Sequence, residues 1–401
     1  MTSELSYDIT AHMESISAKR LPYSKIRVMF DAAKKLEKQG RDIIHLEIGR
    51  PDFNTPPHIV EAAIEALKAG KHHYSANAGI IELREAVAEK YASEYKLNFS
   101  PESEIVITNG VAEGVFLVIN ALLDPGDQVL IPDPRWVNYE PDAYTNFVEP
   151  TSYTLFEEKN FQPDPEELEE KITPRTKMLI LASPSNPTGG VTGKKILEQI
   201  AALVEKHNLI VVSDEIYEKI IYPPAEHICA ASLEGLQERT IVLNGFSKFY
   251  SMTGWRLGYA VGPQKLIDPV LRYHQYMITS TNTFAQWGAV TALKGDQNPS
   301  LIMRDKFRKR RDFIHTAINE IPGFSSTLPA GAFYLFPSIK ETGQSGIQVA
   351  EMLLEKAGVA TVAGEYFGIK GAGHIRISYA NSMENLKTAV KKIKGVMKNN
   401  K

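Results

Sequence analysis

The stretch Asn244-Gly-Phe-Ser-Lys-Phe-Tyr-Ser-Met-Thr-Gly-Trp-Arg-Leu-Gly-Tyr259 carries a lysine near its centre and lies between two apolar runs. Thr240-Ile-Val-Leu243 before it and Leu257-Gly-Tyr-Ala-Val261 at its end are typical of buried β-strands. Lys248 is therefore predicted on a loop just past a core strand. A partly desolvated amine loses its proton more easily and can attack a carbonyl, so this position suits imine chemistry. A lysine on a loop is more often a solvated surface residue than a reactive amine. The other motifs of the chain have to decide between these two interpretations.

Short apolar runs alternate with helical patterns on both sides of this stretch. Lys194–His207 is the clearest of the helical patterns. Such short continuous strands, separated by helices, predict an α/β fold with a mostly parallel, doubly wound sheet that is buried on both faces. The predicted strands are Glu104–Thr108, Gln128–Ile131, Lys177–Ala182, Leu209–Ser213, Thr240–Leu243 and Leu257–Val261.

The two ends of the chain have a different pattern. Before residue 100, helices are predicted at Val28–Gln39, from an N-cap at Thr55 to Lys68, and at Ile81–Tyr95, with a short strand at Ile43–Ile48. Beyond residue 290, a charged helix (299–320), strands at 331–336 and 374–379, a helix near 349–356 and a last helix from Ser382 predict an α+β arrangement. We therefore expect a large domain of residues 52–290 and a small domain of residues 1–51 and 291–401.

Composition excludes several classes of protein. The 401 residues are 43% hydrophobic with a net charge of −3, which gives no case for a nucleic-acid partner. The single cysteine, Cys229, allows no internal disulfide, and the N-terminus is polar, with Glu4, Asp8 and Glu14 and no apolar core of a secretory leader. No apolar run approaches the roughly 18 residues that span a bilayer. We expect a soluble cytoplasmic protein with no membrane partner.

Three strand ends carry groups that could hold a ligand, since ligands bind beyond the carboxyl ends of such strands. The turn Asn109-Gly-Val-Ala112 precedes a helix and could bind phosphate through free N–H groups. Two prolines and two glycines stiffen the loop 182–190 around Asn186. Asp214 ends a buried strand, where a carboxylate needs a cationic partner. Each has an ordinary alternative: a common turn, a self-satisfied asparagine and a helix cap.

Taken together, five ordered motifs resemble the fold-type I aminotransferases that use pyridoxal 5′-phosphate, and within them the class I, aspartate-aminotransferase-like enzymes. The resemblance runs from about Gly49 to Asn385. Its motifs are Ser183-Pro-Ser-Asn-Pro-Thr-Gly189, Asp214-Glu-Ile-Tyr217, Ser247-Lys248 with Thr253-Gly-Trp-Arg256, Ala330-Gly-Ala-Phe-Tyr334 and His374-Ile-Arg-Ile-Ser-Tyr379.

The resemblance implies a role for each residue of the catalytic centre. Lys248 would form the internal Schiff base with the cofactor and, once released, move the proton between the substrate Cα and the cofactor. Asp214 would keep the pyridine nitrogen protonated, so that the ring accepts electrons. Asn186 and Tyr217 would hydrogen-bond the ring 3-oxygen.

The resemblance also implies how the cofactor phosphate and the substrate are held. Arg256, with Gly110, Val111 and Ala112, would bind the phosphate, and Tyr74 would reach the phosphate of the neighbouring subunit. Trp136 would stack on the ring and, with Asn186 and Gly49, contact the substrate. Arg376 would grip the substrate α-carboxylate in a bidentate manner.

This chain departs from the family pattern at two kinds of position. Gly245 and Ala112 replace hydroxyl residues that contact the phosphate in many relatives, so the backbone N–H groups have to contribute more. Some bacterial relatives have a lysine at the Ala112 position that binds the distal carboxylate of aspartate. Candidate replacements are Arg50 and Arg135 and, less favoured, Lys25 and Arg27.

We expect a ping-pong aminotransferase acting on L-amino acids and 2-oxo acids, with aspartate or glutamate and 2-oxoglutarate as first choice, in a homodimer with shared active sites. Alanine or aromatic donors stay open, as does a carbon–sulfur β-lyase on the same scaffold. A cofactor-binding regulator is disfavoured because about 50 residues before Gly49 are too few for a DNA-binding module. No metal is expected, since His72-His73 lacks partners at ligand spacing.

Overall fold

A computed structural model describes residues 14–398. Residues 1–13 and 399–401 lie outside it, and with them Glu4 and Asp8 of the polar N-terminal stretch. The strands are β1 Ile44–His45, β2 Ile105–Thr108, β3 Gln128–Asp133, β4 Glu149–Phe156, β5 Gln162–Pro163, β6 Thr176–Ala182, β7 Ile210–Asp214, β8 Thr240–Gly245, β9 Gly258–Val261, β10 Tyr334–Leu335, β11 Val359–Ala360, β12 Val362–Ala363 and β13 Ile375–Ser378.

Helices cover both faces of these strands. They are α1 Ile16–Arg20, α2 Lys25–Lys38, α3 Pro57–Lys68, α4 Ile81–Tyr95, α5 Val111–Leu122, α6 Tyr139–Thr145, α7 Pro165–Lys171, α8 Lys194–Lys206, α9 Gln264–Met277, α10 Thr283–Lys294, α11 Asn298–Asn319, α12 Gly346–Met352, continued by a π-helical turn at Leu353–Ala357, and α13 Met383–Lys398. Among residues 14–398, no helix combines the length and apolar content needed to cross a membrane.

The central sheet has the order β2-β9-β8-β7-β6-β3-β4-β5. Its five middle strands, β8 to β4 in that order, are parallel, whereas β9 runs antiparallel between β8 and β2 and β5 is antiparallel to β4. The predicted α/β class with a mostly parallel sheet is confirmed. Because β2 is antiparallel to β9, its carboxyl end returns to the same edge as those of β3, β6, β7 and β8.

The ends of the chain pair with each other in two small sheets. β1 is parallel to β11, which joins the N-terminal segment to the C-terminal third of the chain. β13 lies between β10 and β12 and is antiparallel to both. This puts β13, which carries Arg376, beside the carboxyl edge of the large sheet.

Two local predictions are wrong in detail. Helix α3 begins at Pro57 after Pro56 rather than at Thr55, because the Thr55 hydroxyl instead donates to the Ser251 carbonyl at 2.9 Å. The strand predicted over 331–336 is only Tyr334–Leu335, since Ala332 has a left-handed φ of 55° that interrupts the extended backbone.

Candidate active site

The loops after β3, β6, β7 and β8 enclose a cavity of about 370 Å³ at the carboxyl edge of the sheet. The predicted site residues that line it are Gly49, Val111, Ala112, Trp136, Asn186, Asp214, Tyr217, Lys248, Arg256 and Arg376. Residues far apart in sequence therefore meet at one place, because parallel strands end on the same side.

Lys248 lies at the floor of the cavity, three residues after β8. Its Nζ donates a hydrogen bond to the Gly49 carbonyl at 2.7 Å and lies 5.5 Å from the centre of the Tyr217 ring. Burial, together with the positive charges of Arg376 and Arg256, lowers the pKa of the Lys248 amine to about 8. About a tenth of this amine is thus neutral, and nucleophilic, at pH 7.

Asp214, the last residue of β7, is the carboxylate of the cavity. It accepts a hydrogen bond from the Tyr139 hydroxyl at 2.7 Å, and burial raises the pKa of its carboxyl group to about 6. Tyr139 also packs edge-on against Trp136, with ring centres 5.4 Å apart. Sequence reasoning missed Tyr139, because a tyrosine in the first turn of α6 is indistinguishable from an ordinary core residue.

Arg376 of β13 closes the opposite side and is almost fully buried. Its Nη1 donates to Asn186 Oδ1 at 2.9 Å and its Nη2 to the Glu47 carbonyl, while its Nε has no partner among the described residues. Because Asn186 Oδ1 accepts from Arg376, its amide nitrogen is left as a donor. Tyr217 and Tyr334 share a hydrogen bond between their hydroxyl groups at 2.7 Å.

The turn between β2 and α5 meets the loop after β8 through close backbone contacts. Gly110 has a φ of 80°, and a Cβ there would lie 2.9 Å from Arg256 Nη2. A Cβ on Gly258 would lie 2.9 Å from the Val111 nitrogen. These contacts put a guanidinium group beside the first N–H groups of a helix, which is an arrangement for binding phosphate.

Only some of the other predicted binding residues lie at the cavity. Trp136 lines the cavity, but Tyr74 is 88% exposed and lies outside it. Of the four candidates for a distal carboxylate, Arg50 lines the cavity. Arg135 is buried and contacts Asp133 and Glu140, Lys25 lies over the Tyr366 ring, and Arg27 is exposed outside the cavity.

The segment that carries Asp214 and Tyr217 is anchored on its far side by buried charges. Glu218 contacts Lys90 at 2.7 Å, and both side chains are almost fully buried. Glu215 contacts His227 Nε2 at 2.9 Å and accepts from Ser213 Oγ. These carboxylates are occupied by protein donors, so we interpret the cluster as an anchor rather than a metal site.

Comparison with known proteins identifies the family. Residues 41–393 match the family model of aminotransferase class I and II. The chain belongs to this aminotransferase family. It is 41% identical over 380 residues to aromatic-amino-acid aminotransferase 2 of Thermococcus litoralis, covering 94% of this chain and 96% of that one. It is 42% identical over 380 residues to an aspartate aminotransferase of Pyrococcus horikoshii, covering 94% and 95%.

A solved structure extends the likeness to three dimensions. Aspartate aminotransferase from Thermus thermophilus with maleate matches with a TM-score of 0.91 and 39% identity, covering 96% of this chain and 99% of that one. The protein is thus a pyridoxal-phosphate-dependent aminotransferase of fold type I that acts on amino acids and oxo acids.

The cavity of this aminotransferase fits the cofactor. It offers an amine of lowered pKa, a buried carboxylate with one tyrosine donor, and a guanidinium group beside free helix N–H groups. These are the groups that an aldehyde, a ring nitrogen and a phosphate require.

Replacing Asp214 by asparagine tests the burial of its carboxyl group. Since burial raises its pKa to about 6, the unfolded chain loses this proton at lower pH than the folded apoprotein. The free energy of unfolding should therefore fall as pH rises from about 4 to 6. Denaturation at several pH values should show that Asp214→Asn lacks this contribution, which is on the order of 3 kcal/mol.

Tyr139→Phe is the companion variant. It removes a hydrogen bond that lowers the Asp214 pKa, so the pKa should rise further and the fall in stability should extend to higher pH. Identical pH profiles for the wild type and Asp214→Asn would contradict this assignment.

Proposed function

We propose that the protein moves an amino group from a dicarboxylic L-amino acid to a 2-oxo acid by a ping-pong mechanism, using the residues of this cavity. The observation that supports it most directly is the Lys248 amine, with a pKa lowered to about 8, facing a cavity that also holds Asp214 and Arg376. Pyridoxal 5′-phosphate, when bound, supplies an aldehyde that condenses with amines and a ring that accepts electrons from the substrate Cα–H bond.

Lys248 has two tasks in this proposal. Its neutral Nζ would hold the cofactor through the aldehyde carbon, and once released it would carry the proton that leaves the substrate Cα. The Gly49 carbonyl, 2.7 Å away, gives the free amine a fixed resting position. Arg376 and Arg256 keep the amine from holding its proton tightly.

Asp214 would pair with the protonated ring nitrogen, and Tyr139 holds its carboxylate in place. Asn186 and Tyr217 would donate to the ring 3-oxygen, and Trp136 would cover the ring face. Arg256 and the N–H groups of Val111 and Ala112 would hold the phosphate, and Gly110, whose own N–H donates to the Thr108 carbonyl, would let the turn come close to it.

Substrate recognition depends on two arginines in this proposal. Arg376 would bind the α-carboxylate, and its unpartnered buried Nε supports a role in binding an anion. Gly49 would approach the same carboxylate through its backbone. Arg50 would bind the distal carboxylate, because it lines the cavity and contacts no carboxylate among the described residues. Asp52, two residues further along the same loop, accepts two hydrogen bonds from Arg310.

The second candidate is an aromatic donor. Ile26 of α2 also lines the cavity, and an apolar wall at this position would favour an apolar substrate side chain. The relative from Thermococcus litoralis carries that name.

The proposal includes a homodimer with shared active sites. Tyr74 is 88% exposed, which fits a residue that serves the phosphate of the neighbouring subunit. Exposed apolar side chains on α3 and α9, among them Leu67, Tyr276 and Met277, support a covered surface.

The expected division into a large domain of residues 52–290 and a small domain of residues 1–51 and 291–401 stays a proposal. The pairing of β1 with β11 supports joining the two ends of the chain. A reducing cytoplasmic location is also proposed; the lone cysteine, Cys229, is buried.

A half-reaction tests the chemistry. The cofactor-loaded enzyme, mixed with aspartate or glutamate alone, should change its cofactor absorbance and release one equivalent of 2-oxo acid. Lys248→Ala should bind cofactor but turn over at least about a thousandfold more slowly, because nucleophile and proton carrier are both lost. Release of ammonia with pyruvate or a thiol, without stable conversion of the cofactor, would instead favour the β-lyase.

Arg50→Gln tests the substrate class. KM for aspartate and glutamate should rise roughly tenfold to a hundredfold, because a hydrogen bond to a charged group contributes about 1.5–3 kcal/mol. The kcat/KM for alanine should not change. Arg27→Gln, an exposed arginine outside the cavity, is the matched control. If phenylalanine or tyrosine is the best donor and Arg50→Gln leaves the KM for aspartate unchanged, the dicarboxylic donor is wrong and an aromatic donor takes its place.

Mixed dimers test the shared site. Tyr74→Phe should bind cofactor roughly tenfold more weakly through loss of one hydrogen bond to phosphate. When refolded together, Lys248→Ala and Tyr74→Phe should regain activity at limiting cofactor, because one of the two sites then has both native residues. A fully active monomer in size-exclusion chromatography would refute the shared site.

A further inference from the structure

A buried carboxylate lies beside the turn that would bind the cofactor phosphate. Glu113 is the third residue of α5, and its side chain is only 5% exposed. A buried negative charge next to an anion site is unfavourable by itself. Its contacts therefore have to explain its position.

The Glu113 carboxylate makes two contacts. Oε2 accepts a hydrogen bond from the Asn109 backbone N–H, and Oε1 lies 3.2 Å from His274 Nδ1. Because a carboxylate oxygen accepts, the Nδ1 of His274 is the donor. His274 is fully buried in the last turn of α9. Helix α9 therefore fixes one oxygen of the Glu113 carboxylate, while the other contacts the turn.

The contact with Asn109 fixes the turn without using its free donors. The Gly110 N–H donates to the Thr108 carbonyl at 2.8 Å, and Thr108 Oγ1 donates to the Gly110 carbonyl at 3.0 Å. Glu113 takes the remaining N–H, that of Asn109. The N–H groups of Val111 and Ala112 have no acceptor within residues 14–398 and stay available to an anion.

The orientation of these N–H groups matters more here than in relatives with hydroxyl residues at this place. Ala112 and Gly245 have no side-chain donor. Arg256 is an exposed side chain whose only hydrogen bond within residues 14–398 goes to the Thr253 carbonyl. A small rotation of the turn would therefore cost the site its directed donors.

We infer that Glu113, held by His274, is a positioning residue for the phosphate of the cofactor: it sets the direction of the Val111 and Ala112 N–H groups and contacts no ligand itself. This inference rests on the proposed function, in which the phosphate binds at this turn.

Comparing two ligands that differ only in the phosphate tests this role. Dissociation constants of pyridoxal 5′-phosphate and of pyridoxal are measured by absorbance titration of the apoenzyme. Glu113→Ala should weaken binding of the phosphorylated ligand roughly tenfold, about the value of one hydrogen bond, and leave pyridoxal unchanged. Glu113→Gln should retain most of the affinity, because its amide can still accept from Asn109.

Glu157→Ala is the matched control. It removes a glutamate that contacts His374 at 3.1 Å, a pairing similar to that of Glu113 with His274 but away from the turn. Both ligands should bind this variant as they bind the wild type.

The outcomes distinguish an error in the proposed phosphate site from an error in the positioning role of Glu113. If wild type binds both ligands equally, the phosphate site itself is wrong. If wild type prefers the phosphorylated ligand but Glu113→Ala keeps that preference, or loses affinity for both ligands equally, the positioning role is wrong and Glu113 only stabilises α5. Should Glu113→Ala fail to fold, His274→Leu, which leaves Glu113 without its second partner, should show the same selective loss; unchanged selectivity there would equally overturn the inference.

Discussion

The cavity holds more positive than negative charge, and this imbalance governs the chemistry of the site. Among the described residues that line it, Arg50, Lys248, Arg256 and Arg376 are basic, and Asp214 is the one carboxylate. Burial of the Lys248 amine, reinforced by the positive charges of Arg376 and Arg256, lowers its pKa to about 8, so the amine loses its proton readily. A phosphate and a substrate α-carboxylate would compensate Arg256 and Arg376. The same charges that attract the ligands therefore also prepare the nucleophile.

This charge arrangement depends on the sheet edge that gathers it. The antiparallel strand β9 returns the chain after Lys248 to the side of β2, and the small residues Gly110 and Gly258 allow the two backbones to touch. With a Cβ at either position, the guanidinium of Arg256 or the N–H of Val111 would have to move. The turn and the lysine loop thus form one rigid unit, although they are more than a hundred residues apart in sequence.

The sequence was informative where short continuous apolar runs predict buried strands, and where functional groups directly follow those strands. Asp214, Asn186 and Lys248 could be predicted on this basis, since the ends of parallel strands meet. Tyr139 and the Glu113–His274 pair could not, because their importance lies in contacts between residues far apart in the sequence, which no local pattern indicates. Predictions at strand borders failed where single residues override propensity, as with the left-handed φ at position 332.

The two halves of the cavity differ in how tightly they are held. The half that would bind the cofactor is fixed by hydrogen bonds, a buried one from Tyr139 to Asp214 and one from the Asn109 N–H to Glu113. On the substrate side, the Arg50 side chain is exposed at the cavity, and Asp52 on the same loop accepts two hydrogen bonds from Arg310. In the proposed role of Arg50, one substitution there would change the preferred substrate side chain without altering either hydrogen bond on the cofactor side. Relatives named for aspartate and for aromatic donors can therefore share one scaffold.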